Sequence, residues 1–392
     1  MQGTEPPRKL NYARSYFLMF TIHAVVSPYL QILIRGLGYS QATIGLFLGI
    51  YEIAGIAGPL FIARIADARG RYRPAMFACA AIMISALIPL ALFPKPLVTA
   101  LSLCLLALGV KTVVPLMDAS FVTSLERAKA VGKKGIDYGV VRGIGSVGFV
   151  AVALILQSLP DGWMASPRII ALCAGSGVLL FASSLPSLGE PGSAVARDAP
   201  IPEKRRGFDA QFLIGLAVIA LGRLAMAPVN SFFSLYLEEE LKWNAVGGMW
   251  ALSACAEIPM MLVAGKVLAR TGPMGALALS SVGVALRLAI YAIFPTPAGA
   301  GTGQLLHSLC YGLFQPAAIA FISIKFPTRE RAAGMALFNG LGVGLPAFLG
   351  SALGGVIAEA GGYRTLFASF VPFALASVAL YFAFKKRLDQ LR

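Results

Sequence analysis

Apolar runs of about twenty residues, separated by short polar and basic stretches, recur along all 392 residues of this chain. A soluble helix carries an apolar stripe, whereas these runs are apolar on every side, so they need a solvent that is itself apolar. A bilayer leaves no water to satisfy backbone N–H and C=O groups, and only helices or closed barrels can cross it. Runs of about twenty residues, rather than alternating strands of about ten, select helices. At 57% hydrophobic and 13% charged, with a mean hydropathy of +0.76, the chain reads as an all-α membrane protein.

The hydropathy pattern predicts twelve spans, at 14–34, 41–63, 74–93, 97–125, 136–158, 167–186, 209–237, 244–268, 273–294, 299–325, 330–358 and 363–384. A net charge of +15 would point to nucleic acid in a soluble protein. Here the basic residues lie between apolar runs, so no nucleic-acid partner is expected. Of the 33 Lys and Arg, 24 fall on one side of the predicted membrane, from Arg8 through Arg64–Arg73, Arg127–Lys134, Arg197–Arg206, Lys266–Arg270 and Lys325–Arg331 to Lys385–Arg392. Five fall on the other: Arg35, Lys95, Arg168, Lys242 and Arg364. The positive-inside rule then places both termini in the cytoplasm and requires an even number of spans. The first 13 residues are polar, and no signal peptide is expected. Cys79, Cys104, Cys173, Cys255 and Cys310 sit singly without ligand spacing, so neither a metal nor a disulfide framework is expected.

The polar stretch Ser187–Gly207 divides the chain. It predicts an N-terminal six-helix bundle over 1–187, a cytoplasmic linker over 188–208 and a C-terminal six-helix bundle over 209–392. The halves echo each other: Arg142-Gly-Ile-Gly145 in the fifth span matches Asn339-Gly-Leu-Gly342 in the eleventh. Two six-helix pseudo-repeats of this kind put a substrate site near the bilayer midplane, where the halves face each other.

The run Tyr138–Phe149 contains Gly143-x-Gly145-x-x-Gly148, the spacing of a dinucleotide turn. It lacks the preceding strand and the soluble βαβ context, and reads instead as a helix whose small residues admit close neighbours. Four basic residues, Lys111, Arg142, Arg223 and Arg287, and three acids, Glu52, Asp118 and Glu257, fall inside spans, with His23 and His307 near them. Each intramembrane charge costs about 2.5–3.5 kcal/mol on insertion scales, so the set should face protein, water or ligand. Asp118 follows Lys111 by two helical turns, and Asn230 follows Arg223 likewise, so each pair shares a helix face. Bland readings stand beside these: Arg142 with Asp118, Glu257 with Arg287 and His23 with Glu52 as structural pairs, and His307 as an interhelical hydrogen-bonder. With neutral histidines the set carries one excess positive charge, which an anionic guest would balance. No Gly-x-x-x-x-Gly-Lys-Ser/Thr motif occurs, so the chain is not expected to hydrolyse ATP.

The loop Arg64-Ile-Ala-Asp67-Ala-Arg69-Gly70-Arg71 resembles the signature loop of the major facilitator superfamily, with Ala63 where glycine is usual. Its second-half equivalent, Gly265–Gly272, lacks the aspartate. Pro115–Asp118, Tyr138–Phe149, Ala256-Glu257-Ile-Pro259, Arg287 and Gln304-Leu-Leu-His307 with Tyr311-Gly312 together resemble the branch containing the 3-phenylpropionate transporter, related to lactose permease and the nucleoside–proton symporters. The resemblance implies a major facilitator fold and a gating loop at Asp67, Gly70 and Arg71. It also implies that Asp118, Arg142, Glu257, Arg287 and His307 belong to the substrate and proton-coupling site. Ser308–Leu313 lacks the further acid of lactose permease, and Gln315 stands where the phenylpropionate branch often has histidine.

The resulting expectation is a non-enzymatic secondary transporter in the bacterial inner membrane, a monomer needing no cofactor beyond the proton gradient. It would take up a small organic, aromatic carboxylate-like anion with protons. Arg142, Arg223, Lys111, Asn230, Arg287, His307 and Gln315 would contact substrate, and Glu257, Asp118 and Glu52 would carry the proton. A neutral sugar or nucleoside symporter, efflux of a hydrophobic compound, and a non-transporting receptor or scaffold are the alternatives.

Overall fold

A computed structural model describes residues 9–130, 138–160, 162–189, 208–326 and 331–388. Most of the linker expected at 188–208, and Arg8, Lys133, Lys134, Arg197, Lys204, Arg205, Arg206, Arg329 and Arg392 from the orientation count, lie outside them. Among the described residues, ten helices are long and apolar enough to cross a membrane. They are α1 (Lys9–Gly36), α2 (Gln41–Arg69), α3 (Tyr72–Leu92), α4 (Pro96–Glu126), α5 (Tyr138–Gln157), α6 (Pro167–Ser187), α7 (Ala210–Glu240), α8 (Val246–Ile293), α9 (Pro297–Lys325) and α10 (Gly334–Ala383). The described residues contain no strand.

Where twelve separate spans are expected, α8 and α10 each run through two of them. Each is broken at one glycine with a left-handed φ: Gly272 at φ 70° and Gly362 at φ 74°. Only a residue without a Cβ takes that conformation at little cost, and in α8 Pro273 follows at once, having no N–H to continue the ladder. Apolar side chains stand exposed along the helices, Leu101, Ile155, Leu179, Leu262 and Val356 among them, as a lipid-facing surface requires.

The chain divides into two compact units, Met1–Gly38 with Ala54–Ala199 and Tyr39–Ile53 with Pro200–Arg392. The first turns of α2 therefore pack with the second unit, a grouping that sequence order does not reveal. In the first unit α1 packs on α5 and α6, and α3 on α4 and α6. The glycines of α5 make that first contact. A Cβ on Gly148 would lie 2.6 Å from the Phe17 carbonyl oxygen, and one on Gly145 would lie 2.6 Å from the Phe20 ring, whereas Gly143 faces open space. Phe121 of α4 packs against Tyr12 and Tyr16 of α1, with centroids 4.7 and 6.3 Å apart.

In the second unit α7 and α8 both pack on α10, and α9 packs on α8. Phe233 stacks on Tyr291 at 5.1 Å, and Phe367 closes on both Tyr236 and Tyr291 at 5.2 Å. Gly45 and Gly355 approach so closely that a Cβ on Gly355 would fall 2.9 Å from the Gly45 Cα. Asp209 caps α7 by accepting from the Phe212 N–H at 2.8 Å, and it also accepts from Lys325 Nζ, 3% exposed, at 2.7 Å. That buried ammonium joins the start of α7 to the end of α9.

Candidate functional site

Polar side chains buried inside an apolar bundle must satisfy one another, and two such clusters form, one in each unit. In the first unit, Asp118 Oδ1 accepts from Tyr16 OH at 2.7 Å and lies 3.5 Å from Arg142 Nε. Both charged side chains are about one-third exposed, and the Arg142 guanidinium lies over the rings of Phe20 at 4.4 Å and Tyr16 at 5.7 Å. The structural pairing of Arg142 with Asp118 is thus present. Lys111 is half-buried two turns before Asp118, and its field and that of Arg142 both reach His23. His23, expected to pair with an acid, instead has Nε2 buried without a hydrogen-bond partner, its ring 5.5 Å from Phe20.

In the second unit the expected direct pair of Glu257 with Arg287 does not form, because His307 stands between them. His307 Nε2 lies 2.7 Å from Glu257 Oε1, and Nδ1 lies 2.8 Å from the Arg287 NH1 group. Arg287, 2% exposed, donates from Nε to Tyr291 OH at 2.9 Å and from NH2 to Gln304 Oε1. Its guanidinium is therefore held by three neutral acceptors and meets its carboxylate only across an imidazole. A π-helical turn at Ser308–Leu313 follows His307, and Tyr311 on that turn stacks on the His307 ring at 5.5 Å.

Arg223 differs from the other two arginines. It is 8% exposed, makes no hydrogen bond or ion pair among the described residues, and its Nε is buried without a partner. Its guanidinium lies 4.8 Å from the Phe314 ring and 5.7 Å from Tyr311. The field of Glu52 reaches it without an ion pair. It lines a narrow cavity with Gly222, Ser280, Ser281, Cys310 and Phe314.

Of the other expected site residues, Asn230 and Glu52 are half-buried, while Gln315 is exposed and bonds none of the described residues. Asp67 and Arg71 are exposed and form no ion pair among the described residues. Gly70 between them takes a left-handed φ of 60°, ending the turn before α3. Sequence reasoning missed Tyr16, Phe20, Tyr291 and Phe314 as site neighbours. The signal was present in two of these cases: Tyr291 follows Arg287 by one helical turn, and Phe20 follows Tyr16 by one.

An all-helical, multi-pass chain that buries ionised networks within its helix bundles has the build of a membrane transporter. The chain belongs to the MFS_1 like family of major facilitator transporters, which matches residues 9–369. It is 26% identical over 367 residues to maltose permease of Geobacillus stearothermophilus, covering 90% of this chain and 88% of that one. It is 25% identical over 319 residues to a probable 3-phenylpropionic acid transporter of Escherichia coli strain K12, covering 80% and 82%. In fold it is similar to a mutant of the nucleoside transporter NupG, with a TM-score of 0.82 and 17% identity over 96% of this chain and 99% of that one.

Proposed function

We propose that this chain imports a small organic monoanion together with protons, by alternating access. Each long helix broken at Gly272 or Gly362 then serves as two spans, giving twelve in two six-helix repeats with both termini cytoplasmic. The observation that carries the reading is Arg223. A guanidinium removed from water with neither carboxylate nor carbonyl to receive it is costly, and sites that keep such a charge keep it for a ligand. Arg142 is balanced by Asp118, and Arg287 has three acceptors and reaches Glu257 through His307, whereas Arg223 has no acceptor among the described residues, so Arg223 is the cation we assign to the guest. One unbalanced cation takes one carboxylate, which favours a monoanion over a dianion. The rings of Tyr311 and Phe314 beside it favour an apolar, aromatic body on that carboxylate. Likeness to a probable 3-phenylpropionic acid transporter supports the same class. Glu257, bonded to His307, is the acid best set to exchange the coupling proton.

The test is uptake of labelled 3-phenylpropionate into proteoliposomes, with and without an inward proton gradient. Stimulation by the gradient in the wild type, and loss of uptake in Arg223→Gln, are expected. A neutral-sugar symporter is the second reading, favoured by likeness to maltose permease. Gradient-driven maltose uptake that survives Arg223→Gln, with no carboxylate transported, would establish it instead.

A further inference from the structure

A histidine between an acid and a base is usually the first candidate for a travelling proton. The atoms around His307 assign it a different part. A guanidinium has five N–H donors and no acceptor. His307 Nδ1, 2.8 Å from the Arg287 NH1 group, must therefore accept, and so carries no hydrogen. The single proton of a neutral ring then sits on Nε2, from which it is donated to Glu257 Oε1 at 2.7 Å. An imidazolium, or the other neutral tautomer, would set an N–H of the ring against an N–H of the arginine. Arg287 is held against turning aside: Gln304, 1% exposed, accepts from its NH2 group, and Tyr291, fully buried, accepts from its Nε.

The other polar and titratable groups around the ring offer it no second anion. Tyr311 stacks on it, Arg223 acts on it as a positive charge, and Cys310 lies beside Arg287. Glu257 is the one carboxylate among the described residues in contact with it.

We propose that Arg287 locks His307 as the neutral Nε2–H tautomer, so that His307 is a positioning residue and the coupling proton is bound by Glu257 alone. This assignment rests on the proton-coupled reading above and names the atom at which coupling occurs. A proton from water adds to the Glu257 carboxylate and gives a neutral carboxyl group, while His307 keeps its Nε2 proton throughout. The bond from Nε2–H to Glu257 then changes from a charge-assisted bond to a neutral one, which is roughly half as strong. The ring, held on its other side by Arg287, passes that loosening to the buried arginine. Protonation at Glu257 is thus felt two residues away without any proton moving there.

The chain contains two histidines, His23 and His307, so ring-15N-histidine spectra of the full-length protein in nanodiscs hold two spin systems, which His23→Asn separates. His307 is expected to show a protonated Nε2 and a bare Nδ1 at every pH from about 5 to 8. Glu257→Gln should abolish the stimulation of uptake by the proton gradient. Arg287→Met frees Nδ1, and in that variant His307 should take up a second proton as the pH is lowered. An imidazolium signal or an Nδ1–H tautomer in the wild type would overturn the lock. So would an Arg287→Met protein whose His307 remains bare at Nδ1. The wild-type spectra decide the question even if that variant does not fold. A locked His307 in a protein whose uptake ignores the proton gradient would count against the transport reading alone. A titrating His307 with gradient-driven uptake intact would count against the lock alone.

Discussion

Replacing Arg223 with methionine should make the ligand-free protein more stable while removing its response to ligand. The substitution keeps an unbranched side chain of similar reach and deletes the charge. An ion taken from water into a bundle interior costs several kcal/mol, even after relaxation. Two ring faces, 4.8 and 5.7 Å from the guanidinium, return up to about 2 kcal/mol each when desolvated, and the field of Glu52 adds to that. What remains is of the order of 1–4 kcal/mol, the range found when buried charges are exchanged for apolar side chains. At about 2–4 °C per kcal/mol, the apo Tm should rise by several degrees. In the wild type, 3-phenylpropionate at 100 times its Kd should add about 2.7 kcal/mol of stabilisation. Arg223→Met should lose this. Thermal unfolding in detergent, followed by a thiol-reactive dye as buried Cys79 and Cys310 become accessible, reads both quantities. An apo Tm that falls, with the ligand shift retained, would refute the reasoning, because Arg223 would then be a structural cation with a partner of its own.

The packing of α5 predicts opposite outcomes for two glycines two turns or less apart. Gly148→Ala meets the Phe17 backbone and should cost about 1–3 kcal/mol by thermal shift, whereas Gly143→Ala meets nothing and should be neutral. Asp118→Asn leaves Arg142 without its counter-charge. Because the pair is one-third exposed, the stability loss should be only about 1 kcal/mol, measurable by the same assay, with Tyr16→Phe producing a smaller loss. At the entrance to α7, burial pushes the Asp209 carboxyl upward, but the bond from Lys325, the Phe212 N–H and the charges of Lys325 and Arg387 bring it below its ordinary value. A carboxyl held low when folded contributes stability above its unfolded pKa of about 3.9 and loses it as the pH falls through the folded value. Unfolding midpoints measured down to about pH 3 should therefore drop, and Lys325→Met should flatten that part of the profile.

The sequence by itself was enough for the solvent, the element type and the identity of the charged residues. Run length alone demands spanning helices, because a bilayer leaves no other way to satisfy the backbone. The cost of each ionised group in lipid marked Lys111, Arg142, Arg223 and Arg287, with their acids, as inward-facing before any contact was known. Seven-residue spacing put Lys111 and Asp118 on one face, since helical periodicity is local. Partnership is not local. That Arg142 meets Asp118, that Glu257 meets His307 rather than Arg287, and that Arg223 pairs with no acid among the described residues depend on which helices pack and how far each is rotated. A π-turn at Ser308–Leu313 and the breaks at Gly272 and Gly362 alter that rotation and direction; the breaks fall where the hydropathy pattern separated spans, but the π-turn leaves no periodic trace in sequence. Composition fixes how many charges must be satisfied inside the membrane; only the packed helices decide which partner each one meets.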